Sequence, residues 1–124
     1  VLGAPKPYMT GSEQIANERE RQQERGFTPA QDAIRADETL ARAALCHLRD
    51  AVENHDRRLS NIDNYRVPEP PKGWPLNPNR WKCLEYRKNL VRAGAYIAAE
   101  LDRLVEKDKQ ATLADGGHPT QWHA

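Results

Sequence analysis

Three arginines early in the chain, Arg19, Arg21 and Arg35, carry the donor fork that grips phosphate oxygens and stays charged at any physiological pH. Trp74 and Trp81, seven residues apart in a proline-rich stretch, offer flat faces on which a base stacks. Gln22, Asn89, Tyr96 and Glu100 supply hydrogen-bonding edges that would read the polar groups of such a ligand. Together these residues describe a binding site for a nucleotide or a nucleotide-derived signal, and none of them is assigned a catalytic role. A competing chemistry is hydrolytic. Glu18, Asp32, Glu38 and Glu100, with Glu24 as a further contributor, are carboxylates that facing helices would gather around Mg²⁺, which takes oxygen ligands and keeps several waters. A metal-activated water would then attack a nucleoside triphosphate. Glu100 and Asp102 alone make no metal pair, because two steps along a helix turn them about 200° apart.

Other reactive types lack context. Cys46, His47 and Cys83 do not have the spacing of a zinc site, and His47 at the margin of an apolar stripe reads as a core histidine. Ser12 and Ser60 are the only serines, neither in a nucleophile motif, and no glycine-rich phosphate loop occurs. A net charge of +1 on a chain that is 30% charged leaves no excess of basic charge for counterion release, so a nucleic-acid partner is not expected. No apolar run approaches the roughly 20 residues of a membrane span. Two isolated cysteines make no disulfide framework, which fits a soluble protein of a reducing cytoplasm.

The elements that must position these residues are helical. Residues 1–11 read as a flexible lead-in, in which Thr10 caps a helix of about 12–25 with Glu13 completing the capping box and Ser12 as an alternative cap. Gly26 is its stop. That helix has almost no apolar face beyond Ile15 and Ala16, so it is either solvated or lines a polar cleft through Glu18, Arg21, Gln22 and Arg25, of which Glu18, Gln22 and Arg25 share one face. Thr28, Pro29 and Gln31 open a second helix expected to run unbroken to about Asn54. Its stripe is Ala33, Ala36, Leu40, Ala43, Ala44, Leu48, Ala51 and Val52. A proline-rich loop of about 57–80 follows, its second half pinned by the two tryptophans, which serve either as core anchors or as a stacking wall.

The strongest pattern belongs to a third helix of about 84–107. Leu90, Gly94, Ile97, Leu101 and Leu104, widened by Val91, Ala98 and Val105, form a stripe expected to face the core. Asn89, Ala93, Tyr96, Glu100 and Arg103 flank one edge of it. Residues 108–124 read as a tail. The expectation is a single all-α domain over 12–107 with about three principal helices. Its small core and alanine-rich faces suit a homo-oligomer.

Three blocks carry a resemblance. ERERQQERGFTPAQD (18–32), ETLARAALCHL (38–48) and WPLNPNRWKCLEYRKNLVRAGAYIAAELDRL (74–104) resemble, in the same order, a family of small phage and prophage proteins. The resemblance covers about half the chain and is most specific in the last block. It implies an all-helical body, phage origin and a relationship to MazG-type nucleotide pyrophosphohydrolases, helical oligomers that bind Mg²⁺ through carboxylates on facing helices. This chain departs from the pattern where it matters for metal. The acid-rich segment keeps Asp32 alone, Arg35 stands where a histidine would, Glu38-Thr39 replaces a Gly-Glu pair and Asn89 replaces an aspartate. Fewer carboxylates and an added arginine favour phosphate over a divalent cation. The resulting expectation is a phage accessory protein in the cytoplasm of a bacterial host that binds a nucleotide-like ligand and sequesters a host immune signal. It would need no cofactor. The alternatives are a Mg²⁺-dependent pyrophosphohydrolase and a module that binds a host or phage protein through the tryptophan loop.

Overall fold

The computed structural model describes residues 8–32, 35, 37–56 and 69–114. They form an all-α fold: α1 (Gly11–Glu24), the one-turn α2 (Pro29–Asp32), α3 (Thr39–Glu53) and α4 (Tyr86–Ala114), with a 3₁₀ turn at Pro78–Arg80 before α4. No helix among the described residues is long and apolar enough to cross a membrane.

Local chemistry sets the first helix ends. The Thr10 hydroxyl accepts the backbone N–H of Glu13 at 3.2 Å, and the Thr28 hydroxyl accepts that of Gln31 at the same distance. Gly26, at φ +99°, takes the left-handed turn that ends α1. The expected second helix is broken instead. It runs one turn to Asp32 and restarts at Thr39 after Glu38, whose φ of 70° no helix interior tolerates. The physical reason lies in Asp32, which is fully buried and binds Arg19 of α1 and Arg35, while Asp37 reaches out to α4. Ala33 and Ala36 of the expected stripe lie outside the described residues, as does the first half of the loop. At the other end, α4 continues to Ala114, past its expected stop near Lys107.

α3 and α4 run antiparallel. Asp50 near the end of α3 accepts from Asn89 at the start of α4, and Asp37 before α3 accepts from Arg103 well along it. Leu40, Ala43 and Ala44 of α3 pack with Tyr96 and Ala99 of α4 and with Phe27, and Trp74 and Leu76 cover the cluster. The alanines let the two backbones approach closely, so the core is thin.

The orientation of α4 overturns the expectation for its strongest stripe. Leu90, Ile97, Leu101, Leu104 and Val105 are exposed. The flanking edge is what points inward: Asn89, Arg92, Ala93, Tyr96, Ala99 and Arg103 are buried. On α3, Leu45, Leu48 and Val52 are likewise exposed. The polar groups of the inward edge find their partners in the body: Asn89 meets His47 and Asp50, Arg92 meets Glu18, and Arg103 meets Asp37. Helical periodicity located the apolar side of α4 but not what lies against it.

α1 docks where that stripe is smallest. Ile15, its single sizeable apolar side chain in contact with α4, sits in the hollow left by Gly94, where an added Cβ would lie 2.6 Å from Ile15 Cδ1 and 2.9 Å from Cγ1. Gly94→Leu would overfill this hollow. It is expected to lower unfolding free energy by about 1–3 kcal/mol in urea titrations, with the largest loss of amide-exchange protection in α1.

Candidate functional site

Charged side chains, more than an apolar face, tie α1 and the turn before α3 to α4. Glu18 of α1 accepts from Arg92 of α4 at 2.8 Å and from Arg21 at 3.2 Å. One residue on, buried Arg19 donates to the Phe27 carbonyl and, at 3.1 Å, to Asp102 of α4. Its third arm lies 3.6 Å from Asp32 Oδ2, an ion pair too long to be a hydrogen bond. Asp32 is completed by Arg35 at 3.0 Å, and burial pushes its carboxyl pKa up while the two arginines hold it down. Arg103, also buried, binds Glu100 at 2.6 Å and Asp37 at 3.0 Å. Removing one member of such a buried pair leaves its partner uncompensated, a loss of about 3–5 kcal/mol.

A second buried unit is aromatic. The His47 ring stacks on Trp81 at 4.8 Å and on Tyr96 at 5.8 Å, and Trp74 meets it edge-on at 5.5 Å. Asn89 spends its amide N–H groups on Asp50 (2.7 Å) and the Leu84 carbonyl (3.1 Å), so its oxygen must accept from His47 Nδ1 at 3.0 Å. That assigns the proton to Nδ1 and leaves Nε2 unprotonated and buried without a hydrogen bond. A second proton would have no partner there, and burial lowers the His47 pKa to about 4.

These contacts locate each candidate residue. Trp81 is buried against His47, and half-buried Trp74 spends its edge on the same cluster and its Nε1–H on the Asn77 carbonyl, so both act as core anchors. Asn89 and Tyr96 face that cluster and not an open cleft. Arg19 and Arg35 are committed to Asp32, and the Arg35 guanidinium also lies over the Phe27 ring at 4.8 Å, with Arg80 at 5.2 Å from the same ring. Gln22 is buried, both side-chain amide atoms without a hydrogen-bond partner. The four metal candidates are each engaged by an arginine: Glu18 by Arg92, Asp32 by Arg35, Glu38 by Arg42 and Glu100 by Arg103. No group of three or more potential ligands converges among the described residues.

What the structure does open is a cleft of about 570 Å³ between α1 and the first turns of α4. Arg21, Arg87, Lys88 and Arg92 line it, opposed by Glu18 and Glu85, an excess of two positive charges. Gln14 and Asn17 supply amides, and Met9 and Val91 the apolar wall. Of the candidates that the sequence suggests, Arg21 and Glu18 reach this open site from α1. Arg87, Lys88 and Arg92 are functional candidates that sequence reasoning missed.

No family model, no curated protein and no solved structure matches the chain. What the protein binds must therefore be inferred from its own geometry. A turn-by-turn reading of α4 contained part of the missing signal. Arg92 lies three residues after Asn89 and four before Tyr96, on the same inward line.

The His47 cluster makes a test of its own. The unfolded chain takes up the histidine proton near pH 6.5 and the folded chain near pH 4, so this contribution to stability is complete above pH 6.5 and is lost as pH falls to about 4. Urea titrations across that window should show a slope that His47→Phe reduces by up to one proton, about 1.4 kcal/mol per pH unit.

Proposed function

We propose that the protein binds a small phosphorylated ligand of the nucleotide class in the cleft between α1 and α4. The observation that carries this reading is the cleft's cationic lining, Arg21, Arg87, Lys88 and Arg92 against Glu18 and Glu85, in a volume suited to a small molecule. Arginine and lysine donors there would take the phosphate oxygens, Gln14 and Asn17 would meet polar edges, and Met9 with Val91 would flank the apolar part. The resemblance to phage proteins makes sequestration of a host nucleotide signal, in the cytoplasm of a bacterial host, the natural setting of such binding. It assigns no bond-breaking step, and the arginine-bound carboxylates give a Mg²⁺-dependent pyrophosphohydrolase the weaker support.

Isothermal titration with inorganic phosphate and with mono-, di-, tri- and cyclic nucleotides tests the reading. At least one should bind in the micromolar range, and Lys88→Glu should weaken it about tenfold or more, as expected for a lost charge-assisted contact turned repulsive. Flat titrations on folded protein would refute it.

A further inference from the structure

Eight large aliphatic side chains are turned away from the core: Leu45, Leu48 and Val52 on α3, and Leu90, Ile97, Leu101, Leu104 and Val105 on α4, between 36% and 69% exposed. On each helix they sit about 100–150° round from the buried line. Because the two helices are antiparallel, that rotation carries both stripes to one side of the pair; α1 docks through Ile15, Glu18 and Arg19 on the adjoining side and meets the α4 stripe at Gly94. Their combined exposed surface is on the order of 700 Å², larger than the apolar patches usual on monomers and close to the roughly 800 Å² per partner of a stable complex.

We propose that this face is the interface of a homodimer, a four-helix bundle in which α4 pairs antiparallel with α4 of the partner subunit. The pattern on α4 favours a second copy over an unrelated partner. Leu90, Ile97 and Leu104 recur every seven residues, with Leu101 four residues after Ile97, the spacing of a helix–helix seam; the remaining seam position, Gly94, is capped by Ile15 of α1, and no charge interrupts the series. The next positions on the seam at either end are Arg87 and Asp108, of opposite sign and both exposed. A two-fold axis between Ile97 and Ala98 sets Leu90 against Val105 of the partner subunit and Arg87 against Asp108 of the partner subunit. A parallel arrangement would set like charge against like. The helix is its own complement in one direction, which is what an isologous interface demands. Arg87 also lines the cleft, but oligomeric state is read without any ligand and does not depend on what the cleft binds.

The test is oligomeric state by light scattering and sedimentation on the full chain at tens of micromolar. Wild type should be a dimer. Ile97→Glu and Leu101→Glu, placed at positions already exposed in the subunit, should give monomers with unchanged far-ultraviolet circular dichroism. Arg87→Asp should weaken the dimer about tenfold, and adding Asp108→Arg should restore it. Ile97→Cys, next to the axis, should form an intermolecular disulfide under oxidation, a readout that holds even if a glutamate variant misfolds. A monomeric wild type would overturn the proposal and give the face to a different protein. A dimer untouched by folded Ile97→Glu and Leu101→Glu would overturn it as well.

Discussion

The orientation of α4 about its own axis is the constraint on which the rest depends. Asn89, Arg92 and Arg103 hold it, each bound to a different part of the body: Asn89 to His47 and Asp50, Arg92 to Glu18, Arg103 to Asp37. Buried and unpaired, any of the three would be costly, so rotating α4 to bring its leucines inward would sacrifice all of them at once. The core accepts the consequence, filling its centre with alanines, Tyr96 and the tryptophan-clad histidine in place of a leucine stripe.

Buried ion pairs contribute little net stability compared with well-packed apolar groups, because desolvation offsets much of their attraction. Their geometry is demanding, however, and here it fixes arrangement. Arg19 touches the Phe27 carbonyl, Asp32 and Asp102, and so brings three segments of the chain to one point. The polar α1 has no apolar stripe that would set its rotation, and these pairs set it. That leaves Arg21 and Asn17 toward the cleft while Arg19 and Gln22 point inside.

Much of the local architecture was legible in the sequence. Thr10, Thr28 and Gly26 act at helix ends as their chemistry dictates, and the proline-rich stretch delivers its tryptophans to the body as anchors. The break after Asp32 was not legible, since a run with good caps and helix-forming residues was interrupted by tertiary ion pairs that no local preference encodes. The same limit governed the site. Carboxylates and arginines at suitable helical positions were visible, but which of them would neutralise one another depends on helix rotation. Apolar periodicity suggested the wrong rotation, because the stripe it finds on α4 lies at the surface while polar pairs hold the flanking edge inward. Lys88 and Arg87 entered the site through proximity to α1 alone.

The way α1 is attached has a dynamic consequence. Its hold on α4 includes the Glu18–Arg92 and Arg19–Asp102 pairs and one isoleucine in a glycine hollow. With so little apolar area beneath it, α1 is the segment whose undocking leaves most of the α3–α4 pair intact. One wall of the cleft is α1 itself, so its undocking dismantles the cleft. A ligand bridging Arg21 and Lys88 would hold the docked state, and the rigidity of the first helix would then report occupancy of the cleft without any change in the rest of the fold.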